Sequence, residues 1–316
     1  MSKDILVQVE HISRYYGPNA AVSQVSFELQ RGEVLGFLGP NGAGKSTSMQ
    51  MITGNLAPSA GRIRICGIDL LDQPKAAKAE IGYLPEQPPL YRDFTVDEFL
   101  IFCARINGIR RDKISAAVQR AKERCGLTEV SQRLINNLSK GYQQRVGIAQ
   151  AIIHSPAVVV LDEPTVGLDP IQIREIRSLI RELSNEHGVI LSTHILPEVQ
   201  MTCDRVQIIN KGKLVFSDQI ENLDQRMQSC SLLLGLHQPP EVSELSKISG
   251  VTKVEVLEDN IFRISHSTEN SPAETIAEQA VKNSWGLFEL SPERKTLEQI
   301  FVDITSTEHI AEEHAA

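Results

Sequence analysis

The sequence predicts an α/β protein with a parallel core sheet, an antiparallel β layer, a helical insert and a small α+β C-terminal domain. Continuous apolar runs at 34–38 and 157–161 are each followed by a polar turn. Strands that are buried on both faces of a parallel sheet have this pattern. Apolar and polar residues alternate at 6–9, 25–29 and 63–65, which predicts half-buried strands in the antiparallel layer.

The 316 residues suggest roughly two domains. The chain is 41% hydrophobic and 23% charged, as in an ordinary globular protein. A net charge of −8 disfavours a nucleic-acid surface. No stretch approaches the ~18 consecutive apolar residues that span a bilayer, and the N-terminus lacks the apolar core of a signal peptide. The five cysteines are far apart, which predicts reduced, packing cysteines and no zinc site.

A glycine-rich motif lies between the run at 34–38 and a helix predicted over 45–53. It consists of Gly39, Pro40, Asn41, Gly42, Ala43, Gly44, Lys45, Ser46 and Thr47. Gly-x4-Gly-Lys-Ser between a strand and a helix indicates a phosphate-binding loop, whose glycines let backbone N–H groups point at phosphate oxygens. The lysine reaches the β- and γ-phosphates and the serine hydroxyl ligates Mg²⁺. The motif therefore predicts a site for ATP or GTP, with a chance glycine-rich turn as the weaker alternative.

Two carboxylates follow the run at 157–161. Since carboxyl ends of parallel strands face the same crevice, Asp162 is placed to hold Mg²⁺ through water, and Glu163 to orient and deprotonate an attacking water. A simple turn is the alternative. His194 ends another buried strand over 189–194. A lone histidine there is usually structural or solvated, but on this edge it could contact the γ-phosphate.

Two other positions keep open alternatives. Tyr16 stands before a glycine turn, where an aromatic ring could stack on adenine or simply pack. Ser139 is a predicted helix N-cap, so the amides after it could meet an anion or belong to an ordinary capped helix. Further predicted elements are a strand at 81–84 before a proline-rich loop at 85–89, helices at 96–106, 114–125, 141–153 and 171–186, and a hairpin within 206–217.

The order of these motifs resembles the nucleotide-binding subunit of an ATP-binding cassette (ABC) transporter, over residues 4 to about 225. The resemblance implies that Tyr16 stacks on adenine, that Glu163 is the catalytic carboxylate and that His194 is the switch histidine. It also implies that Ser139 and Gly141 of the signature segment contact phosphate. By the same resemblance, 39–47 is the Walker A loop, 158–163 Walker B, 138–143 the signature and 167–169 the D-loop.

The chain departs from the family pattern at two places. Its signature has Leu-Ser-Lys-Gly-Tyr where the family usually has Leu-Ser-Gly-Gly-Gln, although Ser139 and Gly141 are retained. At the Q-loop position, directly after Leu-Pro, it has Glu86, with Gln87 following. Either residue is a candidate ligand of Mg²⁺ or of a water. Both variants are familiar in the ABC-2-type exporter branch.

The resemblance implies a head-to-tail dimer with a second copy or a homologous ATPase subunit, binding two ATP molecules with Mg²⁺. The helical insert, about 87–150, would pass motion to a separate integral-membrane permease of ABC-2 type. The expected location is the cytoplasmic face of the bacterial inner membrane, with no nucleic-acid partner. The alternative is a soluble, non-transport ABC ATPase of translation or DNA repair, which a single cassette without a heptad insert disfavours.

The expected domains are 1–225, the ABC ATPase, and 226–305, a small accessory domain. The second has the order β-α-β-β-α-β of a ferredoxin-like fold. Its predicted strands are 231–236, 251–257, 260–265 and 286–290, and its predicted helices are 240–248 and 273–283. A final helix is predicted from Leu297, and 306–316 is expected to be a disordered tail.

Overall fold

The computed structural model describes residues 4–222, 228–258, 260–267 and 271–294. The chain divides into two compact units, Met1–Ile220 and Glu221–Ala316. The division therefore falls a few residues before the boundary predicted after residue 225. The helix predicted from Leu297 and the tail predicted at 306–316 lie outside the described residues.

The first unit is built on two sheets. Its strands are β1 (Ile5–Tyr16), β2 (Asn19–Gln30), β3 (Val34–Leu38), β4 (Ala60–Ile65), β5 (Ile68–Asp69), β6 (Ile81–Leu84), β7 (Val158–Asp162), β8 (Gly188–Thr193), β9 (Arg205–Asn210) and β10 (Lys213–Gln219). One sheet has the order β2-β1-β4-β5 and is antiparallel, as its alternating pattern predicts. The other has the order β10-β9-β3-β8-β7-β6 and is parallel except for β10.

The parallel strands are apolar throughout because both of their faces are covered. Every residue of β3, β7 and β8 is buried. One core cluster joins the two sheets, with Phe37 and Val160 of the parallel sheet packing in the same cluster as Phe27 and Leu29 of the antiparallel layer. The continuous runs and the alternating runs thus mark the two sides of one hydrophobic core.

The helices of the first unit are α1 (Lys45–Ile52), α2 (Pro74–Ala79), α3 (Val96–Ile106), α4 (Ile114–Cys125), α5 (Lys140–Ile152), α6 (Pro170–Ser184) and α7 (Leu196–Thr202). Helices α3 and α4 have the predicted bounds, whereas α5 and α6 each begin one residue earlier than predicted. Thr95 caps α3 in a capping box with Glu98. The short helices α2 and α7 were not predicted. In the described residues, no helix is long and apolar enough to cross a bilayer.

The second unit has the predicted β-α-β-β-α-β order. Its elements are β11 (Gln228–Leu236), α8 (Val242–Leu245), β12 (Val251–Glu258), β13 (Ile261–His266), α9 (Ala273–Lys282) and β14 (Leu287–Arg294). The sheet is antiparallel with the order β12-β13-β11-β14. Its core cluster gathers sheet residues such as Leu234 and Ile264 with helix residues such as Ile276. The helix predicted at 240–248 is a single turn.

We predict that residues 1–220 fold without the rest of the chain. In the described residues each unit has a hydrophobic cluster of its own, so we expect the first core to form without the second unit. The truncated protein should unfold in one cooperative transition with a circular dichroism spectrum of mixed α/β structure. A broad, non-cooperative melt, compared with full-length protein in the same buffer, would show that the two units are one folding unit.

Candidate active site

Loops that follow four parallel strands line one cleft of about 440 Å³. The strands β3, β6, β7 and β8 run in the same direction, so their carboxyl ends lie on one edge of the sheet. The residues that line the cleft are Ala21, Asn41, Gly42, Gly44, Lys45, Ser46, Thr47, Glu86, Glu163, Val166 and His194. Most of the polar residues predicted from separate segments of the sequence are therefore brought together at this edge.

The glycine-rich loop owes its path to backbone positions that only glycine suits. Gly42 and Gly44 have φ angles of 79° and 105°, in the left-handed region that costs other residues free energy. A Cβ on Gly44 would also stand 2.6 Å from the carbonyl oxygen of Ala21. Helix α1 begins directly after this loop, at Lys45. Since the first N–H groups of a helix have no intrahelical acceptor, this end of α1 is suited to bind an anion.

Lys45 is a buried cation at the floor of the cleft, with only 5% of its surface exposed. Its Nζ donates to the carbonyl oxygen of Gly39 at 2.9 Å and to that of Pro40 at 3.3 Å. The same Nζ lies 3.4 Å from Oε1 of Glu163. The lysine thereby connects the loop after β3 with the loop after β7.

Glu163 lies between two basic groups. Its Oε2 is 2.9 Å from Nδ1 of His194, while its Oε1 faces Lys45. The backbone N–H of Glu163 donates to the carbonyl oxygen of Ser192 at 2.9 Å. Its φ angle is 50°, a left-handed conformation that costs a non-glycine residue about 1–3 kcal/mol and is concentrated at functional sites. With this backbone conformation, Glu163 lines the cleft.

Asp162, the last residue of β7, has a buried side chain. It is 2% exposed, and among the described residues its Oδ1 has no hydrogen-bond partner. Burial raises the pKa of its carboxyl, with a further contribution from Glu86, while Ser192, Ser46 and Lys45 act to lower it. A buried oxygen without a donor costs free energy unless something binds it. A hard divalent cation suits this set of oxygens, so Asp162, Ser46 and Glu86 could hold Mg²⁺.

Burial and the Asp162 charge also act on a neighbouring tyrosine. Together they raise the pKa of Tyr83 to about 12, with burial the larger cause. Tyr83 is therefore a neutral phenol at neutral pH.

Some predicted residues do not line this cleft. Tyr16 is 50% exposed, and its ring lies under the guanidinium of Arg14 at 5.0 Å. Gln87 is exposed and absent from the described cleft lining, whereas its neighbour Glu86 is present. Of the two Q-loop candidates, the geometry favours Glu86.

The signature segment forms the start of α5, away from the cleft of its own chain. Ser139 caps the helix, its Oγ accepting a hydrogen bond from the N–H of Tyr142 at 3.4 Å. A Cβ on Gly141 would stand 2.6 Å from the side chain of Gln172 on α6. The amine of Lys140 packs over Gly167. The signature and the D-loop are therefore packed against each other, and Lys140 fills the space between them.

Sequence reasoning missed a buried carboxylate behind the cleft. Glu198 on α7 is 1% exposed and accepts hydrogen bonds from Thr165 and Thr193. The only sequence signal is that both threonines stand within two positions of a predicted site residue. A threonine in such a place is common, so the signal is weak without the fold.

Comparison with known proteins agrees with this geometry. A family model described as ABC transporter matches residues 22–166. The chain is 32% identical to the bacitracin transport ATP-binding protein BcrA of Bacillus licheniformis, over 95% of this chain and 97% of that protein. It is 31% identical to the linearmycin resistance ATP-binding protein LnrL of Bacillus subtilis (strain 168), over 95% and 98%. The solved structure of cbiO1 from Clostridium perfringens, part of the ABC transporter complex cbiONQ, matches with a TM-score of 0.65 and 30% identity, covering 70% of this chain and 91% of that chain.

The fold and site define a nucleotide-hydrolysing P-loop protein. The chain belongs to the ABC transporter family and is one of its ATP-binding subunits. Proteins of this family hydrolyse ATP to power transport, and their ATP-binding subunits act as dimers with membrane permease components. The resemblance, the fold class and the ATPase activity predicted from the sequence are confirmed, and the soluble alternative receives no support.

Proposed function

We propose that the cleft binds Mg²⁺–ATP and that Glu163 activates the attacking water. The observation that supports this most is the placement of the Glu163 carboxylate between Lys45 and His194, on the wall of the same cleft as the phosphate loop. The N-terminus of α1 and the Lys45 cation bind the β- and γ-phosphates. Glu163 accepts the proton of the water, and His194 orients that carboxylate and the water.

Mg²⁺ would be held by the Ser46 hydroxyl and by Asp162, either directly or through water, with Glu86 as a further oxygen ligand. When bound, the ion neutralises charge on the phosphate oxygens. The unpartnered oxygen of Asp162 supports this assignment. Tyr16, on the rim of the antiparallel layer, is proposed to stack on the adenine ring.

Ser139 and Gly141 are proposed to act on the ATP held by a second ABC subunit, either another copy of this chain or a homologue. The support is that both residues stand at the N-terminus of a 13-residue helix and are absent from the described lining of their own cleft. The backbone N–H groups at the N-terminus of that helix form the positive end of its dipole. They are therefore suited to bind the γ-phosphate of an ATP molecule held by the second subunit. A head-to-tail dimer satisfies this arrangement.

A second cleft, of about 360 Å³, is the proposed contact for the permease. It is lined by Pro85 and Pro89 of the loop after β6, by the exposed residues Asn55 and Lys78, and by residues near the ends of α3 and α5. The proline loop contributes Glu86 to the ATP cleft and Pro85 and Pro89 to this second cleft. A partner seated there would therefore sense changes at the ATP site.

We infer that this partner is a separate ABC-2-type permease that mediates export. The transport and resistance functions in the names of the two Bacillus relatives support this direction. The subunit would then lie on the cytoplasmic face of the bacterial inner membrane. No nucleic-acid partner is expected.

Two substitutions should separate nucleotide binding from hydrolysis. Lys45→Ala removes the buried cation and should abolish tight ATP binding, as measured by calorimetry.

Glu163→Gln keeps the shape of the side chain but removes the general base, so the variant should still bind ATP and its turnover should fall by about 10²–10⁴-fold. Lys75→Ala on the exposed surface of α2 is the control, and should change neither quantity. Unchanged ATP affinity in Lys45→Ala, or wild-type turnover in Glu163→Gln, would refute the corresponding assignment.

Co-purification tests the permease. The tagged chain, isolated from detergent-solubilised bacterial membranes, should bring down a polytopic membrane protein at a defined stoichiometry, identified by mass spectrometry. Lys78→Glu reverses a charge in the second cleft and should weaken recovery of that protein, whereas Lys75→Glu should not. Recovery of the chain only in the soluble fraction, bound to ribosomes or nucleic acid, would contradict the transporter assignment.

A further inference from the structure

A buried carboxylate outside the cleft connects two of the loops that form it. Glu198 lies in α7, and 1% of its surface is exposed. Its Oε1 accepts a hydrogen bond from Thr165 Oγ1 at 2.5 Å, and its Oε2 accepts one from Thr193 Oγ1 at 2.8 Å. Both threonines are buried as well, with exposures of 3% and 0%. The two hydrogen bonds cross from α7 to the loop after β7 and to the end of β8.

These threonines stand beside the residues assigned to hydrolysis. Thr165 is two residues after Glu163, and the turn between them is closed by a hydrogen bond from Val166 N–H to the Glu163 carbonyl oxygen, at 3.3 Å. Thr193 directly precedes His194. Since Oε2 of Glu163 meets Nδ1 of His194 at 2.9 Å, the contacts form a closed ring through Glu163, Thr165, Glu198, Thr193 and His194.

The chemistry of the ring sets the direction of both hydroxyl groups. Each threonine hydroxyl donates to one oxygen of the Glu198 carboxyl group, which accepts. The Oγ1 of Thr193 in turn accepts from the N–H of Ile195 at 3.1 Å, and the N–H of Glu198 donates to the carbonyl oxygen of Ile195 at 3.1 Å. A buried carboxylate that lost one of these donors would bear an unsatisfied oxygen, which is costly. The ring is thus stable only with both loops in place.

We propose that Glu198 is a positioning residue for ATP hydrolysis. By holding Thr165 and Thr193 on its two oxygens, it fixes the distance between the Glu163 and His194 loops and so keeps the imidazole on the carboxylate. The proposal rests on the hydrolytic roles proposed above for Glu163 and His194. Glu198 itself does not touch the nucleotide.

The test uses a matched pair at Thr165 in the full-length protein. Thr165→Val keeps the shape and removes the donor, while Thr165→Ser keeps the donor. Because an error of about 1 Å in placement can cost ~10²-fold in rate, Thr165→Val should lower kcat by about 10–100-fold and leave the KM for ATP within about threefold. Thr165→Ser should restore kcat to within about threefold of wild type. Thr193→Val breaks the other hydrogen bond and should lower kcat in the same way.

A double-mutant cycle distinguishes positioning from general destabilisation. In a His194→Ala background there is no imidazole to hold in place, so adding Thr165→Val should lower the single-turnover rate by less than about threefold. An equal fall in both backgrounds, or unchanged kcat in Thr165→Val, would overturn the proposal. So would failure of both valine variants to fold, which would make the hydrogen bonds purely structural.

If Glu163→Gln is inactive while Thr165→Val behaves as wild type, only the positioning role fails. If Glu163→Gln hydrolyses ATP normally, the site assignment itself fails.

Discussion

The placement of one buried carboxylate determines most of the active site. Glu163 is 6% exposed, and a buried charge is tolerated only when opposite charges and hydrogen bonds surround it. Lys45 and His194 meet this need from the loops after β3 and β8. Loss of Lys45, the buried partner, costs about 3–5 kcal/mol, so the loops after β3 and β7 are mutually dependent. The parallel pairing of β3, β7 and β8 makes their meeting possible, because it brings the three strand ends to one edge.

The same edge contains unusual backbone conformations. Glu163 and the loop glycines adopt left-handed φ angles, and the covered sheet beneath them supplies the packing that offsets this cost. Outside the cleft, the buried carboxyl group of Glu198 accepts hydrogen bonds from Thr165, in the loop after β7, and from Thr193, at the end of β8. Rigid support on one side and an open cleft on the other suit a site that must align a water with a phosphate. The loop after β6 connects that cleft to the surface proposed for the permease.

The parts of the fold that depend on local pattern could be predicted from the sequence. The buried strand at 34–38 and the helix over 96–106 were predicted with the bounds that are observed. Short helices such as α7 were missed because seven residues carry too little periodicity. Most polar residues of the cleft lie in motifs that the sequence shows, whereas Glu198 and the packing of Lys140 on Gly167 depend on contacts between distant segments. The choice between Glu86 and Gln87 likewise needed the direction in which the proline loop leaves β6.

The most direct test of this account is a crystal structure of the Glu163→Gln protein with ATP and Mg²⁺. The account predicts a γ-phosphate within hydrogen-bond distance of Lys45 Nζ, with Mg²⁺ bound by Ser46 and by Asp162 directly or through water. The amide of residue 163 should face the γ-phosphate, and Ser139 of a second subunit should contact it. A nucleotide bound outside this cleft, or Mg²⁺ without Asp162 in either of its first two coordination layers, would contradict the account.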